Sequence, residues 1–309
     1  MLALSSNKIR LKRRWKMWKK ILVPLDGSDL AELALPYAQE LAGTFNSELV
    51  LLYVSEADEE HLHMHQLYLE RLAVQMKKQL KRVSPVVIPG KTVGEIVKYT
   101  EKNDIRLIVM ASHGSSGTIP WAKGGIADKV IDATGVPLLL IKETKRRRKT
   151  KEKKHLISRI LLPLDGSEAG EAAITRVKEL KSRLKAEVIL LEVVPVGRHL
   201  RTVGGLDYIL YPESEIETFK VEAKEYLDKV YERLKRGKKA KGELTIAIRT
   251  GEVAKEILNY AKKKRVNLIA ISSHGHSGMT KWVFGSTAQK VIEESPVPVL
   301  VVKAPPGVA

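Results

Sequence analysis

A chain of 309 residues with 44% hydrophobic residues can fill two ordinary hydrophobic cores, and its lack of cysteine excludes a disulfide framework, a zinc–thiolate site and a thiol nucleophile. It has no apolar run of membrane-spanning length and no signal-peptide pattern near Met1, so a cytoplasmic protein is expected. The net charge of +18 invites a nucleic-acid reading, but residues 1–20 carry +8 and residues 142–154 carry +7, which leaves a nearly balanced body without an extended basic groove.

Residues 1–20 place Leu11, Trp15 and Trp18 at spacings of four and three among lysines and arginines. That is the pattern of a basic amphipathic helix, suited to an anionic membrane surface, nucleic acid or its own domain, and equally that of a tail. Residues 21–25 form a short apolar run closed by Asp26-Gly27-Ser28, a buried strand ending in a turn. Ala34, Ala38, Leu41 and Phe45 then recur at helical spacing, and residues 49–54 are apolar almost throughout, as in a strand covered on both faces. A helix is expected near Leu69, Leu72, Met76 and Leu80. His61, His63 and His65, at spacing two, align on a strand and diverge on a helix, and read as a solvated cluster before a metal site. A strand at 85–89, a helix after Gly90, a strand at 107–111, a glycine-rich loop, a helix through Val130 and a strand at 136–142 complete the series. Residues 143–157 read as a basic linker that like charges keep extended.

The series then repeats. Ile21-Leu22-Val23-Pro24-Leu25-Asp26-Gly27-Ser28 returns as Ile160-Leu161-Leu162-Pro163-Leu164-Asp165-Gly166-Ser167, and Ser112-His113-Gly114 returns as Ser273-His274-Gly275. The offset grows from 139 to 161, which places a 22-residue insertion after the second strand of the second half. The insertion carries Gly204-Gly205-Leu206-Asp207-Tyr208 and lengthens a helix over 216–234, with Ser214 and Glu217 spaced as a capping box. It lids a pocket, meets a partner or decorates the surface. Five strands alternating with four helices in each half predict an α/β chain of two tandem doubly wound parallel five-stranded sheets, Rossmann-like sandwiches paired as a pseudo-dimer. The expected domains are a tail at 1–20, domain one at 21–142, the linker at 143–157 and domain two at 158–304.

In such sheets ligands sit at the carboxyl ends of the strands, where the strand order reverses. Ser273-His274-Gly275-His276-Ser277-Gly278 lies between a strand and a helix, and Gly285-Ser286-Thr287 follows nine residues after Gly275. Glycines bring backbone close to an anion, and N–H groups and hydroxyls at a helix start complete a phosphate cradle, although a tight strand-to-helix turn uses glycine without any ligand. Ser273 and His274 are neighbours in sequence, but a hydrolytic dyad needs a base oriented in space by an acid, so slow, incidental hydrolysis of a bound ligand is the most enzymatic activity expected. Asp26 and Asp165 can hold magnesium through phosphates or simply cap their turns.

Together, Pro-Leu-Asp-Gly-Ser after the first strand, Glu95-Ile96 and Glu256-Ile257 five residues past a glycine, Ser-His-Gly with nine residues to a second glycine, and Val-Pro before the last strand resemble the universal stress protein family. The likeness is to a tandem member and covers nearly all of residues 21–303. It implies an ATP or other adenine-nucleotide site, magnesium accompanying the nucleotide, in the second half at Asp165, Val188, Ser272, Gly275, Gly278, Gly285, Ser286 and Thr287. Ser272 stands where the family pattern has its first glycine. The first half supplies Asp26, Leu49, Gly114 and Gly124, but has Ala111 at the first glycine, Gly125 in place of the hydroxyl, and Pro120, which lacks an N–H. The second site therefore ranks first. The family's last strands also pair across dimer interfaces, which implies self-association of the two halves and a homodimer. The alternatives are a family-like interaction module with empty pockets and a binder of anionic surfaces or nucleic acid through the tail and linker.

Overall fold

The computed structural model describes residues 18–56, 59–111, 125–142, 155–202, 205–236, 242–275 and 284–304. Two compact units divide between Glu143 and Thr144.

In the first unit, strand β1 (Lys20–Leu25) pairs in parallel with β2 (Glu48–Ser55) on one side and with β4 (Leu107–Ala111) on the other. β3 (Val83–Pro89) continues beyond β2 and β5 (Leu138–Ile141) beyond β4, so the order is β3-β2-β1-β4-β5. Ile21, Leu22, Val50, Leu51, Leu52, Leu107 and Ile108 are fully buried. That burial explains the unbroken apolar runs: each such side chain contributes about 1.5–3 kcal/mol by leaving water. A single helical turn, Asp29–Glu32, leads into α1 (Leu35–Phe45). Pro36 lies in the first turn of α1, and Asn46 ends it in a left-handed conformation. α2 (Glu59–Lys77), α3 (Thr92–Lys102) and α4 (Ile126–Thr134) make the remaining crossovers. Trp18 is 4% exposed and its ring lies 5.5 Å from Phe45, so this residue of the expected tail belongs to the first unit's core. Residues 1–17 and 143–154 of the expected tail and linker lie outside the described residues, whereas Ile157 is fully buried.

The second unit repeats the plan as β10-β7-β6-β11-β12, with β6 (Arg159–Leu164), β7 (Glu187–Val194), β10 (Leu244–Thr250), β11 (Leu268–Ser272) and β12 (Val299–Val302) all parallel. Its helices are a 3-10 turn (Gly170–Ala173) leading into α5 (Ile174–Leu184), then α6 (Glu213–Lys235), α7 (Val253–Lys263) and α8 (Ser286–Glu294). Between β7 and α6 stand two strands that periodicity does not predict, β8 (Gly197–Thr202) and β9 (Gly205–Leu210), paired antiparallel. The expected capping box is absent. The cap is Pro212, without a side-chain bond, because the chain stays extended as far as Tyr211, whose N–H donates to the Val196 carbonyl. Ser214 consequently lies inside the first turn, and Glu217 pairs with Lys220. No helix of the described residues is long and apolar enough to cross a membrane.

Candidate functional site

The strand order reverses between β6 and β11, so the loops after these two strands flank a crevice. Asp165 follows β6. Its Oδ1 accepts from the Ser167 N–H (3.1 Å) and Oγ (2.7 Å), while Ser167 Oγ accepts from the Gly170 N–H at 2.9 Å. Gly166, at φ +80°, provides the left-handed step that this turn needs. The other carboxylate oxygen lies against Gly275: a Cβ built on Gly275 would collide with Oδ2, and one on Gly170 with Oδ1. Asp165 is thus held between the turn after β6 and the glycine loop after β11, and a side chain at either contacting position would have to displace its carboxylate.

The glycine loop is tied at both ends. Ser273 N–H donates to the Val302 carbonyl (2.9 Å), and Gly285 N–H donates to the Ser273 carbonyl (2.8 Å). Gly285 caps α8 in an extended conformation with no side-chain bond, leaving the amide groups of the first turn with Ser286 and Thr287 at the cavity. The departure at Ser272 has a structural use: its buried Oγ donates to the Ala169 carbonyl at 2.6 Å, tying the end of β11 to the turn after β6. Ser273 Oγ lies 3.0 Å from His274 Nδ1 and also accepts from the Ala304 N–H, and at 1% exposure Ser273 is sealed from solvent rather than presented as a nucleophile.

These elements enclose a cavity of about 690 Å³, a volume in the range of small-molecule sites. One wall is apolar, built by Val193, Val194, Tyr211, Phe219, Val253 and Ile257, with the Tyr211 and Phe219 rings edge to face at 5.3 Å. Among the described lining residues Asp165, Glu192 and Glu222 carry carboxyl groups and none is a Lys or Arg. Burial, reinforced by the charge of Asp165, pushes the Glu192 carboxyl up to about 7. Glu192 Oε2 is buried without a hydrogen-bond partner. Tyr226 is also pushed up, first by burial and then by Glu171, to whose Oε1 its hydroxyl donates at 3.2 Å; Arg233 closes that group with an ion pair to Glu171 at 2.7 Å.

Asp165, Ser272, Gly275, Gly285, Ser286 and Thr287, all expected from sequence, line this single cavity. Val188 does not: it pairs with Ile160 and Leu244 near the amino end of β7, fully buried, and strand two reaches the cavity through Leu191–Val194 instead. Gly278 lies outside the described residues, as do Gly114 and Gly124. In the first unit Asp26 repeats the turn, with Ser28 N–H at 3.0 Å and Oγ at 2.6 Å from Oδ1. Leu49, like Val188, sits near the amino end of its strand, paired with Ile21 and Val83. Tyr53 occupies the place of Glu192; its ring stacks on His65 at 3.9 Å, lies edge-on to Tyr68, and its hydroxyl donates to the Asp26 carbonyl at 3.2 Å. His65 stands on α2 rather than in a strand-aligned cluster, and burial, followed by the charge of His61, lowers its pKa. Among the described residues no three His, Cys, Asp or Glu side chains are grouped to hold a metal ion. Sequence reasoning missed Glu192, although a single acid inside Val188-Ile189-Leu190-Leu191-Glu192-Val193-Val194 was a signal: an acid in a strand covered on both faces needs a reason to be there.

The model of the universal stress protein family matches residues 17–142 and again residues 157–303. Universal stress protein YxiE of Bacillus subtilis is 35% identical over 151 residues, covering 48% of this chain and all of the relative. Universal stress protein Slr1230 of Synechocystis is 23% identical over 319 residues, covering 91% of this chain and 99% of its own. The fold is that of a solved universal stress protein from Archaeoglobus fulgidus, with a TM-score of 0.66 at 20% identity over 93% of this chain and 98% of that one.

Proposed function

The chain belongs to the universal stress protein family, and on that premise we propose that it is an adenine-nucleotide-binding regulatory protein whose second unit takes ATP. The observation that carries the reading is the convergence of Asp165, the Gly275 loop and the uncapped start of α8 on one cavity with an apolar wall. The apolar wall suits a base, and the exposed amides of α8 with the hydroxyls of Ser286 and Thr287 suit phosphates. Each charge-assisted hydrogen bond there contributes about 1.5–3 kcal/mol. Were magnesium carried on the phosphates, Asp165 would be the carboxylate nearest the glycine loop to hold it, where it would neutralise phosphate charge. Binding stabilises the unit, and the occupied and empty states present different surfaces to a partner.

The test is thermal unfolding of nucleotide-stripped protein with ATP and magnesium, beside GTP, for the parent chain and for Gly285→Asp. At ligand one hundred times the dissociation constant the expected stabilisation is about 2.7 kcal/mol. Gly285→Asp, which sets a carboxylate at the phosphate end, is expected to abolish it. An unchanged melting temperature in millimolar ATP would remove the nucleotide reading and leave an interaction module.

A further inference from the structure

We propose that the outer face of α2 is a docking surface for the same face of a second copy of this chain, the two helices meeting antiparallel. The proposal concerns the first unit and stands apart from the nucleotide reading of the second. Eight large hydrophobic side chains are exposed among the described residues, and three of them, Met64 (60%), Leu67 (47%) and Val74 (63%), lie on this one helix of 19 residues. With Glu60 in its first turn, Arg71, and Lys78 just past its end, they fall at spacings of four, three, four, three and four. That is the 3.5-residue repeat of a coiled-coil seam. It runs opposite the stripe of Leu69, Leu72, Ala73 and Met76 that α2 buries against its own sheet.

The fold does not demand an apolar outer face here. Tyr68 and Tyr226 donate to Glu32 and Glu171, and so mark equivalent positions of α2 and α6. Counted from them, Leu67, Arg71 and Val74 correspond to Glu225, Lys229 and Glu232, all exposed. The second unit covers this face with charge, as a helix facing only water does, and the first unit does not.

Charge and register select the occupant. In an antiparallel pair of α2 helices centred on Leu69, Met64 meets Val74, Leu67 meets Arg71, and Glu60 comes level with Lys78, each contact made twice by symmetry. Apolar positions then face one another, and the acidic start of each helix, Glu59-Glu60, lies beside the basic end, Lys77-Lys78, of the other. Arg71 can cover Leu67 with its aliphatic stem, since its guanidinium is drawn aside to the Tyr68 ring, 6.0 Å from the centroid. A parallel pair would instead set Glu60, Arg71 and Lys78 each against its own copy, which like charges oppose. The basic residues 1–17 fit the seam less well, because its cations Arg71 and Lys78 oppose them. A seam about 28 Å long is short for a permanent dimer, so association in the micromolar range is expected.

The experiment is sedimentation velocity of the full chain from about 1 to 200 µM at about 50 mM salt, for the parent, Leu67→Lys, Lys78→Glu and Glu60→Lys/Lys78→Glu. The parent is expected to self-associate over this range. Leu67→Lys sets a cation against Arg71 at both symmetric positions and should weaken association more than about tenfold. Lys78→Glu opposes Glu60 and should weaken it about tenfold, and adding Glu60→Lys should restore it. Leu67 and Lys78 are exposed, so the melting temperatures should match the parent's. Orientation has its own readout, because the chain has no cysteine. Mild oxidation of Met64→Cys/Val74→Cys should link two chains, whereas each single variant stays unlinked, its two thiols standing about 15 Å apart across the seam. A parent that is monomeric throughout, or whose association is indifferent to Leu67→Lys and to charge reversal, overturns the proposal, and so does linkage of a single variant in place of the double.

Discussion

At the scale of single residues the site is organised by two carboxyl groups with opposite needs. Asp165 is satisfied on one side by Ser167 and wedged on the other against Gly275, so it is held in place by contact as much as by charge. Gly275→Ala places a methyl on the carboxylate oxygen and is expected to cost about 1–3 kcal/mol, an ordinary overpacking penalty. In an Asp165→Ala background the obstacle is gone, and the same substitution should cost less than about 0.5 kcal/mol. Equal costs in both backgrounds, measured by urea unfolding, would show that the two residues are not in contact. Glu192 has the opposite problem, a raised pKa with no partner. Its folded-state value lies above its unfolded one, so its favourable contribution is complete below pH 4.5 and is lost as pH rises through about 7. Glu192→Gln should therefore match the parent at pH 4 and be more stable at pH 8. The gain should be about 1 kcal/mol, because the group is only partly buried and solvent screens the rest. Equal stability of the two proteins at pH 8 would show that Glu192 carries no such penalty.

At the scale of elements, each connection is fixed by a few atoms that periodicity does not reveal. The entry to β10 runs through Gly242, at φ +108°, where a Cβ would strike the Ala186 carbonyl oxygen. The Gly242 carbonyl accepts from the buried Lys181 Nζ at 2.8 Å. Gly242→Ala meets both a forbidden backbone and a backbone obstacle, and should cost about 3 kcal/mol in chemical denaturation; a cost below about 1 kcal/mol would mean that the entry relaxes. The strands and amphipathic helices were legible because two-sided burial writes an apolar run and one-sided burial a helical stripe. The β8–β9 hairpin was not, since Gly-Arg-His-Leu-Arg-Thr carries no such pattern; its one sign was the glycine pair Gly204-Gly205 at the start of β9. Of the residues expected at the candidate site, the repeat marks Asp165, Gly275 and Gly285, whereas Ser286 and Thr287 have no counterpart in the first half and come from the family pattern alone. The contact from strand two was expected at Val188, five residues short of Val193, because an apolar strand carries no mark of its depth along the sheet. The capping box failed for a related reason: spacing identifies a cap only once the start of the helix is known, and Pro212 moved it.

At the scale of the whole chain, a duplicated unit has been kept twice as a fold and differentiated as a site. The two Asp-Gly-Ser turns share their hydrogen bonds, and Tyr68 and Tyr226 each bond to a glutamate, Glu32 and Glu171, on the turn after the first strand. The differences fall on the cavity side. Gly170 leaves room for the Asp165 carboxylate where the first unit has Ala31, and Glu192 is replaced by Tyr53 stacked on His65. Ser286 and Thr287, which line the second unit's cavity, are replaced at the start of α4 by Gly125 and Ile126, without a hydroxyl between them. The replacements add a methyl at Ala31, put a ring in place of Glu192 and remove two hydroxyls, so the expected stoichiometry is one ATP per chain. Equilibrium dialysis checks it, with Thr287→Val weakening binding by about tenfold through loss of one charge-assisted hydrogen bond and Ile126→Val, its counterpart, leaving it unchanged. Because no Lys or Arg is among the described lining residues, affinity should change less than about threefold between 50 and 500 mM salt. Any polyanion binding by residues 1–20 and 142–154, which hold 15 of the 18 net charges, should instead collapse over that range. Two ATP molecules per chain would mean that the first unit's aromatic stack opens, and a steep salt dependence for ATP itself would mean that cations outside the described lining hold the phosphates.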